Sequence, residues 1–196
     1  KMVIAPEYWF NEPRPYNTLN SADFIHIRNV PTIRRGSSEP KFTFILPVFN
    51  REASLRRCLS GILNQTLGDI EVIAVDDAST DDTFCVLNEY AGNDSRIRLM
   101  RNETNASTLS SRIKGMREAR GKYILFADSD DYYDHDTCRI LDAELKKEPV
   151  DILEYGYIRE PSKEIRLNRS KYDDGVVEKI LRGEWPHALW NRTYSH

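Results

Sequence analysis

Three carboxylates fall within four positions in Phe126-Ala127-Asp128-Ser129-Asp130-Asp131, directly after the apolar run Tyr123-Ile124-Leu125-Phe126. Aspartates this close repel one another unless a cation or a hydrogen-bond donor sits among them. Carboxylate oxygens are the hard ligands that Mg2+ and Mn2+ prefer, and such a cation readily bridges a protein to a diphosphate. A strand ending in this cluster sets those oxygens at the carboxyl edge of a sheet, where open α/β sheets bind their ligands. A lone acidic turn is usually a solvated helix cap. The strand ahead of this one, and a second acidic strand end upstream, favour chemistry instead.

That second end is Ile73-Ala74-Val75-Asp76-Asp77-Ala78-Ser79-Thr80-Asp81-Asp82-Thr83. Ile73 and Val75 fit a strand, and Asp76-Asp77 close it. Ser79 to Asp82 has the spacing of a capping box with Asp in place of Glu or Gln, so Asp81 and Asp82 read as complements to a helix dipole. Asp77 reads differently, because a carboxylate at a sheet edge can accept hydrogen bonds from an imide or a ribose hydroxyl. A third strand, Phe42 to Asn50, precedes both. Its Pro47 cannot donate to a ladder and suits a strand end. Three strands thus finish in polar residues, and Asp77 and Asp130 are expected on one cleft.

The elements that must carry these ends alternate from Lys41 onward, which predicts an α/β fold with a mainly parallel sheet in three layers, α/β/α. Leu55, Cys58, Leu59, Ile62 and Leu63 make one helical stripe, and Phe84, Leu87 and Ala91 suggest a second helix. Leu109, Ile113 and Met116 mark a third, with Gly121 read as a C-cap shortly after its end. Asp134 reads as the N-cap of a fourth helix carrying Cys138, Leu141 and Leu145. Asp151 to Ile158 reads as a strand, with Ile165-Arg166-Leu167 beside it. Residues 1–40 hold five prolines and the aromatic group Tyr8-Trp9-Phe10, and only Phe24 to Arg28 is strand-like. They read as an irregular N-terminal extension and linker.

Taken in order, Leu46-Pro47-Val48-Phe49-Asn50-Arg51-Glu52, Leu63-Asn64-Gln65-Thr66, Val75 to Thr83 and Asp128-Ser129-Asp130-Asp131 resemble the motifs of family 2 glycosyltransferases with the GT-A fold. Asn105 to Gly115 is similar to that family's N-x-G-x-x-x-A-R-N-x-G, matching at Asn105, Arg112 and Gly115 and departing at Ser107, Ser111 and Ile113. Leu189 to Tyr194 resembles its W-N-K-x-Y segment. The resemblance runs from about Lys41 to His196.

It implies a Rossmann-like nucleotide-binding domain over 41–155 and the start of an acceptor-side region over 156–196. It also implies an inverting, metal-dependent transfer of sugar from a nucleotide-diphosphate donor, a UDP-sugar, to a hydroxyl of a glycan or other acceptor, as in polysaccharide or glycoconjugate biosynthesis. Asp130 would bind Mn2+ or Mg2+, and Asp128 would contact the ribose or the metal. Asp77 would recognise the nucleobase, with Pro47, Phe49, Glu52 and Arg112 lining the nucleotide pocket. The family's general base follows W-N-K-x-Y and is expected beyond His196. Glu184 and His187 lie in the acceptor-side region but match no base of the family. A non-catalytic nucleotide-sugar-binding domain and a nucleotidyltransferase are the alternatives. The second usually has a Gly-rich basic phosphate loop, which Pro47 to Glu52 lacks.

The bulk properties narrow the classes. A net charge of -3 and a pI near 5.9 argue against nucleic acid as a partner. No run of ~18 apolar residues predicts a transmembrane segment. Lys1 to Glu7 lacks the apolar core of an export signal. The expectation is a cytoplasmic protein, able to work at the membrane surface. Cys58, Cys85 and Cys138 form no CxxC pair and are expected as buried, reduced thiols inside helices rather than a zinc site. Asn64 and Asn191 open N-x-S/T triplets that read as structural or chance.

Overall fold

The structure is a computed structural model, and it describes residues 2–4, 39–147, 152–155, 157–159, 164–166, 171–172 and 192–195. In chain order the elements are β1 (Met2–Ile4), β2 (Phe42–Val48), α1 (Glu52–Leu63), β3 (Ile70–Asp76), α2 (Thr83–Asn93), β4 (Ile97–Arg101), α3 (Thr108–Glu118) and β5 (Tyr123–Phe126). There follow β6 (Tyr132–Tyr133), α4 (Thr137–Lys147), β7 (Ile152–Glu154), β8 (Tyr157–Arg159), β9 (Glu164–Arg166), β10 (Lys171–Tyr172) and β11 (Arg192–Ser195).

One sheet runs β10-β7-β11-β5-β2-β3-β4. Its β5, β2, β3 and β4 are mutually parallel, while β11 lies antiparallel between β5 and β7. Successive side chains of a strand point to opposite faces, and here both faces are covered. Phe42, Phe44, Leu46, Val72, Ala74, Tyr123 and Leu125 pack under α1, α2 and α4 with Leu55, Leu59, Ile62, Leu87 and Leu141. Ile45, Ile73, Val75, Ile124 and Phe126 pack on the other face against Met116 and Ala119, at α3 and its end. Strands buried on both sides are apolar along most of their length, which is why FTFILPV and IEVIAVD do not alternate; their buried Thr43 and Glu71 bond each other at 2.6 Å. The three-layer α/β/α architecture is as predicted.

Several local expectations differ. The predicted strand at Asp151–Ile158 is two strands in different sheets, since β8 joins β6, β1 and β9 in a small second sheet. The first strand is β1, while Phe24–Arg28 lies outside the described residues. Gly121 is not the C-cap of α3, a place taken by Ala119. Its N–H donates to Thr43 Oγ1 at 2.8 Å and Glu71 Oε1 at 3.2 Å, and a Cβ there would lie 2.6 Å from the Thr43 backbone nitrogen. Close approach to β2 is what requires glycine. Cys58 and Cys138 are buried free thiols, but Cys85 is exposed on α2. Among the described residues no helix is long and apolar enough to cross a membrane.

Candidate active site

Because β5, β2, β3 and β4 are parallel, the residues that follow them collect at one edge: Asp128, Phe49 and Asn50, Asp77, and Asn102. Two loops there are stitched together. The Asn50 amide donates to Ser79 Oγ at 3.0 Å, and Asn50 Oδ1 accepts the Thr80 amide at 2.9 Å. The first amides of α1 are satisfied from the neighbouring helix rather than by a local cap: Arg51 N donates to Thr83 Oγ1 at 2.7 Å and Glu52 N to Asp81 Oδ2 at 3.4 Å. Asp81 also accepts the Thr83 amide at 3.0 Å. It thus keeps the helix-end role read from sequence. Ser79 does not cap α2; Asp82 stands at that position.

Asp77 is almost closed off, with 3% of its surface exposed. Its carboxylate accepts Asn102 Nδ2 at 2.7 Å, the Ala106 amide at 2.8 Å and the Ser107 amide at 3.0 Å. Burial alone would raise its pKa, but the hydrogen bonds from Ala106, Asn102 and Ser107 together outweigh burial and hold it below the ordinary value. Asp77 therefore clamps the 102–107 loop as an ionised group. Two non-glycine residues with positive φ flank this clamp, Ala78 at 61° and Ser107 at 86°. Strain of that kind persists only where the surroundings enforce it.

Asp76 is fully buried and paired with Arg101 Nε at 3.0 Å. The same guanidinium stacks on Phe84, 4.2 Å from the ring centroid. Asp128 Oδ1 accepts Arg112 Nη2 at 2.6 Å, and this arginine side chain is only 16% exposed. Arg112 is thus not a solvated helix residue. Ser107 and Arg112 belong to the first turns of α3 and its cap, so one helix end reaches from Asp77 to Asp128.

Asp130 turns the other way. Its Oδ2 lies 3.9 Å from Arg51 Nη2, with both side chains about half exposed. It edges a cleft of about 870 Å3 lined also by Arg51, Glu52, Ser54, Cys85 and Glu89. Asp77 is not among the residues of that cleft. Asp77 and Asp130 follow parallel strands, β3 and β5, at the same sheet edge, Asp77 bonded to the 102–107 loop and Asp128 to Arg112 of α3, while Asp130 lies beside Arg51. Pro47 is buried on β2 opposite Val75. Phe49 is 41% exposed at the strand's end. Glu184, His187 and Asn191 lie outside the described residues.

Asp128 and Asp130 offer oxygen donors that suit a hard divalent ion. Among the described residues no three His, Cys, Asp or Glu groups cluster so as to cage one. An ion here would need further oxygens from a ligand such as a diphosphate. The sequence reading missed Asn102 and the amides of Ala106 and Ser107 as partners of Asp77, and Arg51 beside Asp130. Only the spacing of Asn105 in its motif pointed toward that loop.

Comparisons with known proteins bear on the family and the fold. An uncharacterised glycosyltransferase of Bacillus subtilis, EpsJ, is 35% identical over 158 residues, covering 77% of this chain and 46% of its own length. S. aureus TarS 1–349 in complex with UDP has a TM-score of 0.64 at 23% identity, covering 79% of this chain and 46% of that one. The same protein in complex with UDP-GlcNAc has a TM-score of 0.57 at 29% identity over 61% of this chain and 34% of that one. The chain therefore spans about half, or less, of the proteins it resembles. The fold is GT-A, as expected. The profile of glycosyl transferase family 2 matches residues 43–189, most of the chain, and the chain belongs to that family.

Proposed function

We propose that the protein transfers a sugar from a UDP-sugar to an acceptor hydroxyl, with inversion and with a divalent cation at Asp130 and Asp128. The observation that carries this reading is the reach of α3 from Asp77 to Asp128 along the carboxyl edge of the parallel sheet. That reach supports a reading in which the nucleotide lies toward Asp77 and the diphosphate toward Asp128. The UDP-GlcNAc complex of TarS, at 29% identity, supports a UDP-sugar as the donor.

The residues divide the work. Phe49 offers an aromatic face beside the nucleotide end, with Pro47 behind it and Glu52 beyond. Asp77 shapes the wall of that end by holding the 102–107 loop, and it can accept an imide N–H only where that loop parts. Arg112 neutralises Asp128 in the free protein, so the turn does not present three bare carboxylates to an incoming diphosphate. A cation held by Asp130 and Asp128 would stabilise the charge that builds on the departing diphosphate. Inversion further needs a base on the acceptor side, and that role rests on the family resemblance.

The test is calorimetry of UDP binding with Mn2+ and with chelator. Binding should be tighter with the ion, and Asp130→Asn should remove most of that gain. Equal affinity in both conditions refutes the metal role. Release of UDP from a UDP-sugar in the presence of an acceptor separates a transferase from a binding domain.

A further inference from the structure

Helix α1 carries small or polar residues on one side at i, i+4 and i+7: Ser54, Cys58 and Gly61. Each meets the acidic turn or the segment that follows it. Ser54 Oγ donates to the backbone oxygen of Ser129 at 3.1 Å, and Cys58 Sγ to that of Asp128 at 3.4 Å. A Cβ at Gly61 would sit 2.7 Å from the Tyr133 carbonyl oxygen and 2.9 Å from its nitrogen. Strand β6 therefore lies directly on the helix backbone. Just past the helix end, buried Gln65 donates through Nε2 to the Asp134 carbonyl at 2.5 Å and accepts the Cys138 amide at 2.8 Å. The Thr66 amide donates to the His135 carbonyl at 2.8 Å.

We propose that this face of α1, Ser54 with Cys58 and Gly61 and continued by Gln65, is the device that positions the Asp128 and Asp130 carboxylates for the cation and diphosphate. The inference rests on the functional reading above. Fixing the two carbonyls inside the turn fixes the peptide planes on either side of Ser129, and with them the directions in which Asp128 and Asp130 leave the chain. Most of the rest of α1's buried face is apolar, with Leu55, Leu59, Ile62 and Leu63 fully buried beside Ser60. An apolar residue at 54 or 58 would leave a turn carbonyl without its donor. The start of α1 is itself held by Thr83 and Asp81. The helix thus sets the acidic turn at a fixed offset from the Asp77 end of the site. Groups that orient ligating carboxylates commonly account for about 10- to 100-fold in metal affinity.

The experiment uses the native protein and its Ser54→Ala, Ser54→Thr and Gln65→Leu variants, read by two measurements. One is hydrogen–deuterium exchange of the 127–138 segment without ligand. The other is UDP affinity by calorimetry, with Mn2+ and with chelator. Ser54→Ala is expected to speed exchange at the turn and weaken UDP binding in Mn2+ by about 10-fold or more, with affinity in chelator unchanged. Ser54→Thr, which keeps the hydroxyl, should restore both. Gln65→Leu should act in the same direction, with faster exchange over 134–138. Exchange that stays as in wild type overturns the inference. So does faster exchange with unchanged Mn2+-dependent affinity, because α1 would then only pack. A wild-type protein with no Mn2+-dependent gain instead overturns the functional reading, and the positioning role toward the ion falls with it.

Discussion

Replacing Ser107 by glycine is expected to stabilise the protein, against the usual effect of adding a glycine. Ser107 has φ 86° and ψ 153°, a region that side chains other than glycine rarely enter. Holding a non-glycine residue there costs about 1–3 kcal/mol. Two terms oppose the gain. The unfolded chain acquires freedom worth about 0.4–1 kcal/mol. The cap accepted by Ser107 Oγ from the Ser110 amide is also lost, but at 3.4 Å it is long, and glycine at this position costs only about a few tenths of a kcal/mol. The balance is a stabilisation of roughly 1 kcal/mol within a range of about 0–2. Ser107→Ala is the control, since it loses the cap and keeps the Cβ, so it should destabilise by about 0.5–1 kcal/mol. Urea unfolding of both variants at constant m-value measures the difference. Ser107→Gly no more stable than Ser107→Ala would mean that the backbone there is unstrained and the reasoning wrong.

Two further outcomes follow from the same clamp and its neighbours. Asp77→Ala leaves the Asn102, Ala106 and Ser107 donors without their acceptor, and should cost at least about 1–3 kcal/mol in urea unfolding; loss of less than that would mean the loop is held by other contacts. Hydrogen bonds outweigh burial in lowering the pKa of Asp77, and the Arg139 bond leads those lowering Asp136. Carboxylates with depressed folded values bind protons more readily when unfolded, so their stabilisation is present above the unfolded value of about 3.9 and is lost as pH falls through the folded value. The urea midpoint should therefore hold from neutral pH to about 5 and decline below it; a midpoint that rises on acidification would contradict the assignment.

The sheet was legible because strands covered on both faces are predominantly apolar without alternation, and Phe42–Val48 and Ile70–Asp76 are, Thr43, Glu71 and the terminal Asp76 excepted. The acidic strand ends stood out in the sequence because aspartates follow directly on apolar runs at Val75-Asp76-Asp77 and Phe126-Ala127-Asp128. The Asp151–Ile158 segment was misread as one strand because a short apolar run carries no mark of the point at which it changes sheet. Gly121 was misread because a glycine after a helix looks like a C-cap whether or not another strand crosses its Cα. The partners of Asp77 were hidden for a related reason. Two of them are backbone amides, which every sequence supplies at every position, and only the fold selects Ala106 and Ser107. Gln65 was visible as part of a motif, but its bonds to Asp134 and Cys138 join residues roughly seventy positions apart.

In the free protein, arginines from three different elements stand against the acidic edge, and their differences rank the carboxylates as metal ligands. Arg101 on β4 holds Asp76, a fully buried group whose release would leave a charge without compensation. Arg112 on α3 holds Asp128 at 2.6 Å with little exposure. That is a short charge-assisted bond, stronger than a neutral one. Arg51 stands 3.9 Å from Asp130, both side chains in water, and exposed pairs of that kind contribute little. On the proposed function, a cation approaching the edge would lose least by taking Asp130. It would meet a real competitor at Asp128 and be shut out from Asp76. The ranking rests on what each carboxylate would have to give up, and the proposed cation site at Asp130 and Asp128 is consistent with it. On the proposed function, Arg112, which neutralises Asp128 here, would be available to a diphosphate if Asp128 bound the cation instead.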